Sequence, residues 1–246
     1  MVLLILVLVA VALSAGLRHG WRWTLWLRRQ WRRVQPPVWT WVRSAPLTYG
    51  YLGLLGFTTW LLVRTRPALR TEFLAAQSTN LHQLSINPVG VLLRSAFYVT
   101  PLELAGWLVA FTLVLAPLER WVGRWRMLAG FWTGHVGATL LTAAVIAWSV
   151  SHHRVPAGIS FSVDVGASYG FMALLAMAGY WFTGWLRWVW AVGFTLVWGA
   201  PVIAEPNFTN AGHLVAFLLG LAMYPVVRSL PPQAMAARGW RHRPGH

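Results

Sequence analysis

Apolar residues gather along this chain in runs of membrane length. A helix needs about 20 mostly apolar residues to cross a bilayer, with about 17 to 25 as the working range. Six candidate runs stand out, at 46–63, 103–118, 127–150, 168–185, 186–204 and 208–227. The fourth and fifth are parted only by a short turn near Gly184 to Arg187. A seventh run, 1–17, opens the chain. It has the small residues Ala10, Ala12 and Ser14 of a signal peptide, but no basic residues precede it and Arg residues follow it, so it is expected to stay as a helix with its N-terminus outside. The pattern predicts an all-α polytopic membrane protein with four parts. These are an N-terminal hydrophobic helix (1–17), a basic, Trp-rich interfacial segment (18–45), a six-helix membrane core (46–228) and a basic tail (229–246).

Composition narrows the class. The chain of 246 residues is 57% apolar and 10% charged, against about 25% charged in a soluble domain. An ordinary soluble globule would leave apolar patches far beyond a few hundred Å², and disorder is excluded for the same reason. With no Cys, disulfide frameworks, thiol catalysis and Cys-ligated zinc are excluded.

The net charge is +15, and every one of the 20 basic residues is Arg. Arg18, Arg22, Arg29 and Arg33 share one helical face, while Trp23, Leu27, Trp31 and Val34 share another. Basic and aromatic residues interleaved in this way also occur in single-strand nucleic-acid binders. Membrane-length runs on both sides make anionic lipid the expected partner and nucleic acid an unexpected one. With this segment cytoplasmic, fifteen of the Arg residues fall inside and five outside (Arg64, Arg66, Arg70, Arg94 and Arg154). The core is therefore expected to have both ends in the cytoplasm of a bacterial cell.

The connection 64–102 is too apolar for a free linker. It is expected to pack on the outer side of the bundle, because irregular backbone at membrane depth survives only against protein or in a wet cavity.

Polar groups inside the runs are costly and therefore candidates for function. Ser168 opens the fourth run in Gly166, Ala167, Ser168, Tyr169, Gly170. His213 lies near the start of the sixth, after Asn210, Ala211 and Gly212. Alternation of spans puts both toward the outer face. A serine hydroxyl is a poor nucleophile until a base takes its proton, and a neutral imidazole is the usual base. The competing readings are structural: Gly and Ser in a membrane helix mostly serve close packing, and an intramembrane His, including His135, more often bonds a neighbouring helix. His152, His153 and Asp164 have metal-binding donors but no helical spacing, so no metal site is expected.

Taken together, Ser168 with its glycines and His213 followed by Ala216 and Gly220 resemble the rhomboid family of intramembrane serine proteases. The six runs and the long first outer connection fit the same family. Glu119, Arg120, Gly123 and Arg124 are similar to the Glu-Arg and Gly-x-x-Arg pattern after that family's second helix. Ser95, Ala96 and Phe97 are similar to the segment that enters it. The likeness covers about 95–223, and the chain looks like a divergent rhomboid-like protein of the kind common in actinobacteria.

The resemblance implies a six-helix rhomboid-like bundle and a Ser168–His213 dyad with no acidic third member. Small residues at Gly170, Gly212, Ala216 and Gly220 would press the sixth helix onto the fourth, and no cofactor is implied. Rhomboids carry a His and, four residues later, an Asn on the second helix that help bind the oxyanion. Glu103 and Trp107 stand in those places here, and Tyr169 replaces the Gly that usually follows the nucleophile. The expected oxyanion and substrate-site residues are Gly166, Tyr169, Trp107, Asn80, His82, Asn87 and Asn210. Three functions stay open: an intramembrane serine protease acting on membrane-protein substrates, a catalytically weak protein that binds client membrane helices, and a small transporter. Against the transporter stand the absence of an inverted repeat and of paired broken helices.

Overall fold

A computed structural model describes residues 21, 37–154, 156, 158, 165–204 and 208–230. The expected N-terminal helix, most of the basic segment, Asp164 and most of the basic tail lie outside the described residues. The chain divides into two compact units, Met1–Pro46 and Leu47–His246. In the first, a short helix α1 covers 37–43, with the Arg43 guanidinium over the Trp39 ring.

The described residues of the second unit form helices joined by turns and loops, with no strand among them. Its longer helices are α2 (Pro46–Arg64), α6 (Pro101–Val122), α7 (Arg124–Ser151), α8 (Ser168–Ala178), α9 (Trp185–Ala204) and α10 (Phe208–Ala222). Between α2 and α6 lie α3 (Pro67–Ala76), α4 (Leu81–Ile86) and α5 (Pro88–Ser95), and a last turn, α11, covers Tyr224–Val227. The six expected runs all contain helix. Among the described residues, α6, α7 and α9 are long and apolar enough to cross a membrane.

Two boundaries differ from the sequence reading. The fourth run was expected to continue to 185, but α8 stops at Ala178 and ends in a single 3₁₀ turn, Gly179–Trp181. The sixth run breaks at Met223, just before Tyr224 and Pro225, because Pro is tolerated in the first turn of a helix and not in its interior.

α8 is the centre of the core, with every residue from Tyr169 to Ala178 buried. Glycines let its neighbours come that close. A Cβ at Gly134 of α7 would strike Ala173, and one at Gly220 of α10 would fall on the Ala173 backbone from the other side. At Gly170 a Cβ would run into the Phe131 ring. These are the close approaches that small residues permit in membrane bundles.

α6 contains a π-helical turn, Phe111–Leu115, directly before Pro117. Proline lacks an N–H and its ring meets the carbonyl four residues back, so the helix widens there rather than breaking. The turn buries Phe111, which stacks on Phe171 of α8 at a centroid distance of 5.9 Å.

Glu119, at the far end of α6, is buried. Its carboxylate accepts hydrogen bonds from the Leu47 N–H (3.0 Å), the Thr48 N–H (2.8 Å) and the Thr48 hydroxyl (2.8 Å). It therefore satisfies donors in the first turn of α2 that have no intrahelical acceptor, at the end of the helix where negative charge is favoured. Gly123 turns the chain from α6 into α7 at φ 81°, a conformation that suits glycine. Arg120 donates to the Ala116 carbonyl, and Arg124 is exposed at the first position of α7.

Candidate active site

The start of α8 is pinned from behind. Gly166, at φ 129°, donates its N–H to the Ser95 carbonyl at 2.9 Å. The Ser95 hydroxyl lies 3.2 Å from His135 Nε2, which also lies 3.0 Å from the Leu92 carbonyl. That carbonyl can only accept, so Nε2 carries the hydrogen and cannot act as a base toward Ser95. His135 thus ties the end of α5 to α7, and Ser95 passes the anchor on to the loop that delivers Ser168.

Ser168 is the first residue of α8 and is half-buried. The opening turn of any helix presents N–H groups without intrahelical acceptors. α8 has 11 residues, which at about 1.5 Å per residue gives about 16 Å, roughly half of a bilayer's hydrocarbon core of about 30 Å.

His213 sits on α10, the helix that Gly220 brings against Ala173. The two helices run parallel: Tyr169 meets Gly212 and His213 at one level, and Tyr180 donates to the Leu221 carbonyl (2.6 Å) further along. Both ring nitrogens of His213 are buried and neither has a hydrogen-bond partner. The Ser168 hydroxyl is therefore not bonded to the imidazole in this structure. The His213 ring is flanked by Tyr169, edge-on at 5.4 Å, and by Trp198 of α9 at 5.2 Å.

The other expected residues separate into two groups. Gly166, Tyr169, Gly170, Gly212, Ala216 and Gly220 lie on α8 and α10 or at their start. Asn210 stands one turn before His213 and donates weakly to the Pro201 carbonyl at 3.5 Å. Trp107 is half-buried and packs on Phe111 (5.4 Å) and on Phe171 of α8 (5.3 Å). Glu103 closes a capping box, its carboxylate accepting from the Thr100 N–H at 2.7 Å.

The connection holds the rest. Asn80 caps α4 by accepting from the Gln83 N–H (2.9 Å), and Asn87 caps α5 by accepting from the Gly90 N–H (3.0 Å). Both side-chain oxygens thus start helices of the connection. His82 and Asn87 are exposed. His152 is held against Trp148, its Nδ1 lying 2.8 Å from that residue's carbonyl, and no three potential metal ligands converge among the described residues.

Trp198 is the residue the sequence did not flag. Its indole N–H is buried without a hydrogen-bond partner and its ring faces His213. It lies on a different helix from His213, so no local spacing marks it.

A membrane protein, helical with no strand among its described residues, whose half-buried serine and histidine are carried on two closely packed parallel helices is the class that fold and site define. The family model described as "Rhomboid-like protein" matches residues 40–233. The chain belongs to the rhomboid-like family. Searches among curated proteins and among solved structures returned no match.

Proposed function

We propose that this protein is an intramembrane serine endopeptidase with Ser168 as nucleophile and His213 as general base. The observation that carries this reading is the contrast between its two buried histidines. His135 spends its Nε2 on structural bonds and leaves only Nδ1 unpaired, whereas His213 keeps both nitrogens unpaired beside the start of α8. A buried polar group without a partner costs about 1 to 3 kcal/mol and calls for a reason to persist; a base awaiting its proton is one.

In the reaction, His213 takes the hydroxyl proton as Ser168 Oγ bonds to the scissile carbonyl carbon. The protonated imidazole then gives that proton to the departing amine, and water releases the acyl group by the same route in reverse. N–H groups in the first turn of α8 face the developing oxyanion. The substrate is a transmembrane helix cut near the outer face of a bacterial cell membrane, with both ends of the core cytoplasmic, as the distribution of Arg supports. The basic segment before the core meets anionic lipid.

A second reading is a client-helix binder without proteolysis. The rings of Tyr169 and Trp198 against His213 favour it, together with the unmade Ser168–His213 bond. Proteoliposomes carrying the protein and a tagged single-span substrate separate the two. Cleavage that disappears in both Ser168→Ala and His213→Ala is the protease outcome. Co-purification of uncut substrate, equal in wild type and Ser168→Ala, is the binder outcome.

A further inference from the structure

Three helix ends meet on the side of the bundle away from Ser168: the 3₁₀ turn that ends α8, the start of α9, and the break between α10 and α11. They enclose a cleft of about 390 Å³ lined by Tyr180, Arg187, Trp188, Ala191, Leu221 and Tyr224. We infer that this cleft binds the headgroup of an anionic phospholipid, with the Arg187 guanidinium on the phosphate. The site is separate from the Ser168–His213 pair and stands whether or not that pair is catalytic.

Charge is the first argument. The chain sets 20 Arg against five carboxylates, and Glu103 and Glu119 are already engaged by backbone N–H groups. Among the described residues no carboxylate pairs with Arg187, whose guanidinium lies 5.6 Å from the Trp188 ring centroid. A half-buried guanidinium in a pocket without a protein anion selects an external one, and its planar fork matches phosphate oxygens.

The surroundings make that anion a lipid rather than a free ion. The walls of the cleft are mainly aromatic and aliphatic. Tyr180 is fixed as one wall by its bond to the Leu221 carbonyl, and the exposed Tyr224 contributes its ring and hydroxyl at the rim. From Trp188 an exposed apolar stripe continues along α9 through Val192 and Leu196, at i, i+4 and i+8. α9 has no buried residue at all, so acyl chains are the natural cover for this face. Aromatic rings at helix ends are the usual occupants of the headgroup level, and basic pockets between membrane helices are a known form of lipid site.

The test is native mass spectrometry of the full chain, released from detergent after incubation with equal amounts of phosphatidylglycerol and phosphatidylcholine of identical acyl chains. Phosphatidylglycerol adducts should exceed phosphatidylcholine adducts about fivefold, the weight of one cation near an anionic surface. Arg187→Gln should lower that excess, leaving only what the basic segment before the core contributes. Ala191→Trp, which fills the cleft but leaves Arg187 in place, should do the same. Arg154→Gln, beside Trp148 at the end of α7, should keep the preference, and millimolar inorganic phosphate should not displace the lipid.

Equal adducts in the wild type would overturn the proposal, as would a preference lost equally in Arg154→Gln. Displacement by inorganic phosphate would make this a free-anion site. In the wild-type chain, a photoreactive phosphatidylglycerol should crosslink within 180–191 or 221–224. Crosslinks confined to other segments would refute the site without reliance on any variant.

Discussion

Tyr169 stands edge-on to His213, with ring centroids 5.4 Å apart, and the same ring covers Gly212. The residue after the proposed nucleophile thus holds the helix that carries the proposed base. Edge-to-face pairs contribute about 0.5 to 1.5 kcal/mol beyond their buried area, enough to bias the imidazole toward one orientation. Tyr169→Phe, which keeps the ring, should leave the rate of fluorophosphonate labelling within about twofold. Tyr169→Ala should lower it about tenfold, the equivalent of about 1.4 kcal/mol. Equal rates in wild type and Tyr169→Ala would show that the ring does not position His213.

Gly220 is predicted to be the least replaceable small residue of α10. A Cβ there would overlap the Ala173 backbone, which cannot step aside as a flexible side chain can. Gly220→Ala should destabilise the protein by about 1 to 3 kcal/mol, the usual range for overpacking, and Gly220→Leu should abolish activity. Gly193 of α9 is the control, since a Cβ there meets nothing within 4 Å. Gly193→Ala should be neutral or stabilising by up to about 1 kcal/mol. Denaturation in graded sodium dodecyl sulfate reads both, and equal effects at the two positions would contradict the packing account.

Glu119 should matter for stability and not for chemistry. Its carboxylate is the acceptor for the first turn of α2. Glu119→Ala leaves those donors buried and unpaired, a loss of about 3 kcal/mol or more. Glu119→Gln keeps one acceptor oxygen and should lose about half as much. Thermal denaturation checks the order, and a Glu119→Ala chain as stable as wild type would remove this role.

Trp198 is expected to outrank Trp107 as a donor near the reacting carbonyl. Its N–H is buried, unpaired and on a ring that faces His213, whereas Trp107 packs on Phe111 and Phe171. Losing one oxyanion donor costs on the order of 100-fold to 1,000-fold in kcat. Trp198→Phe should show a loss of that kind with KM little changed, and Trp107→Phe a smaller one. The reverse ranking would return the role to Trp107.

The long runs behind α6, α7 and α9 could be read directly, because a membrane helix is announced by length and apolarity together. The end of α8 could not, since 179–185 stays apolar and only the backbone at Gly179 and Gly184 interrupts it. In the connection, Asn80 with Gln83 and Asn87 with Pro88 carry helix-start signals. The surrounding runs are too short to show a period, so the sequence reading takes Asn80 and Asn87 as oxyanion and substrate-site residues. Ser168 and His213 stand out in the sequence as polar residues in costly places. The Ser95–His135 bond spans 40 residues and the Trp198–His213 contact joins two helices. No local pattern encodes either.

The central claim is that Ser168 is a nucleophile activated by His213, and covalent labelling tests it most directly. The full chain in proteoliposomes should react with a fluorophosphonate, and mass spectrometry should place the adduct on Ser168. The adduct should vanish in Ser168→Ala and fall by at least about 100-fold in His213→Ala, as loss of a general base does. A wild-type chain that stays unlabelled, or one labelled equally with and without His213, would contradict it.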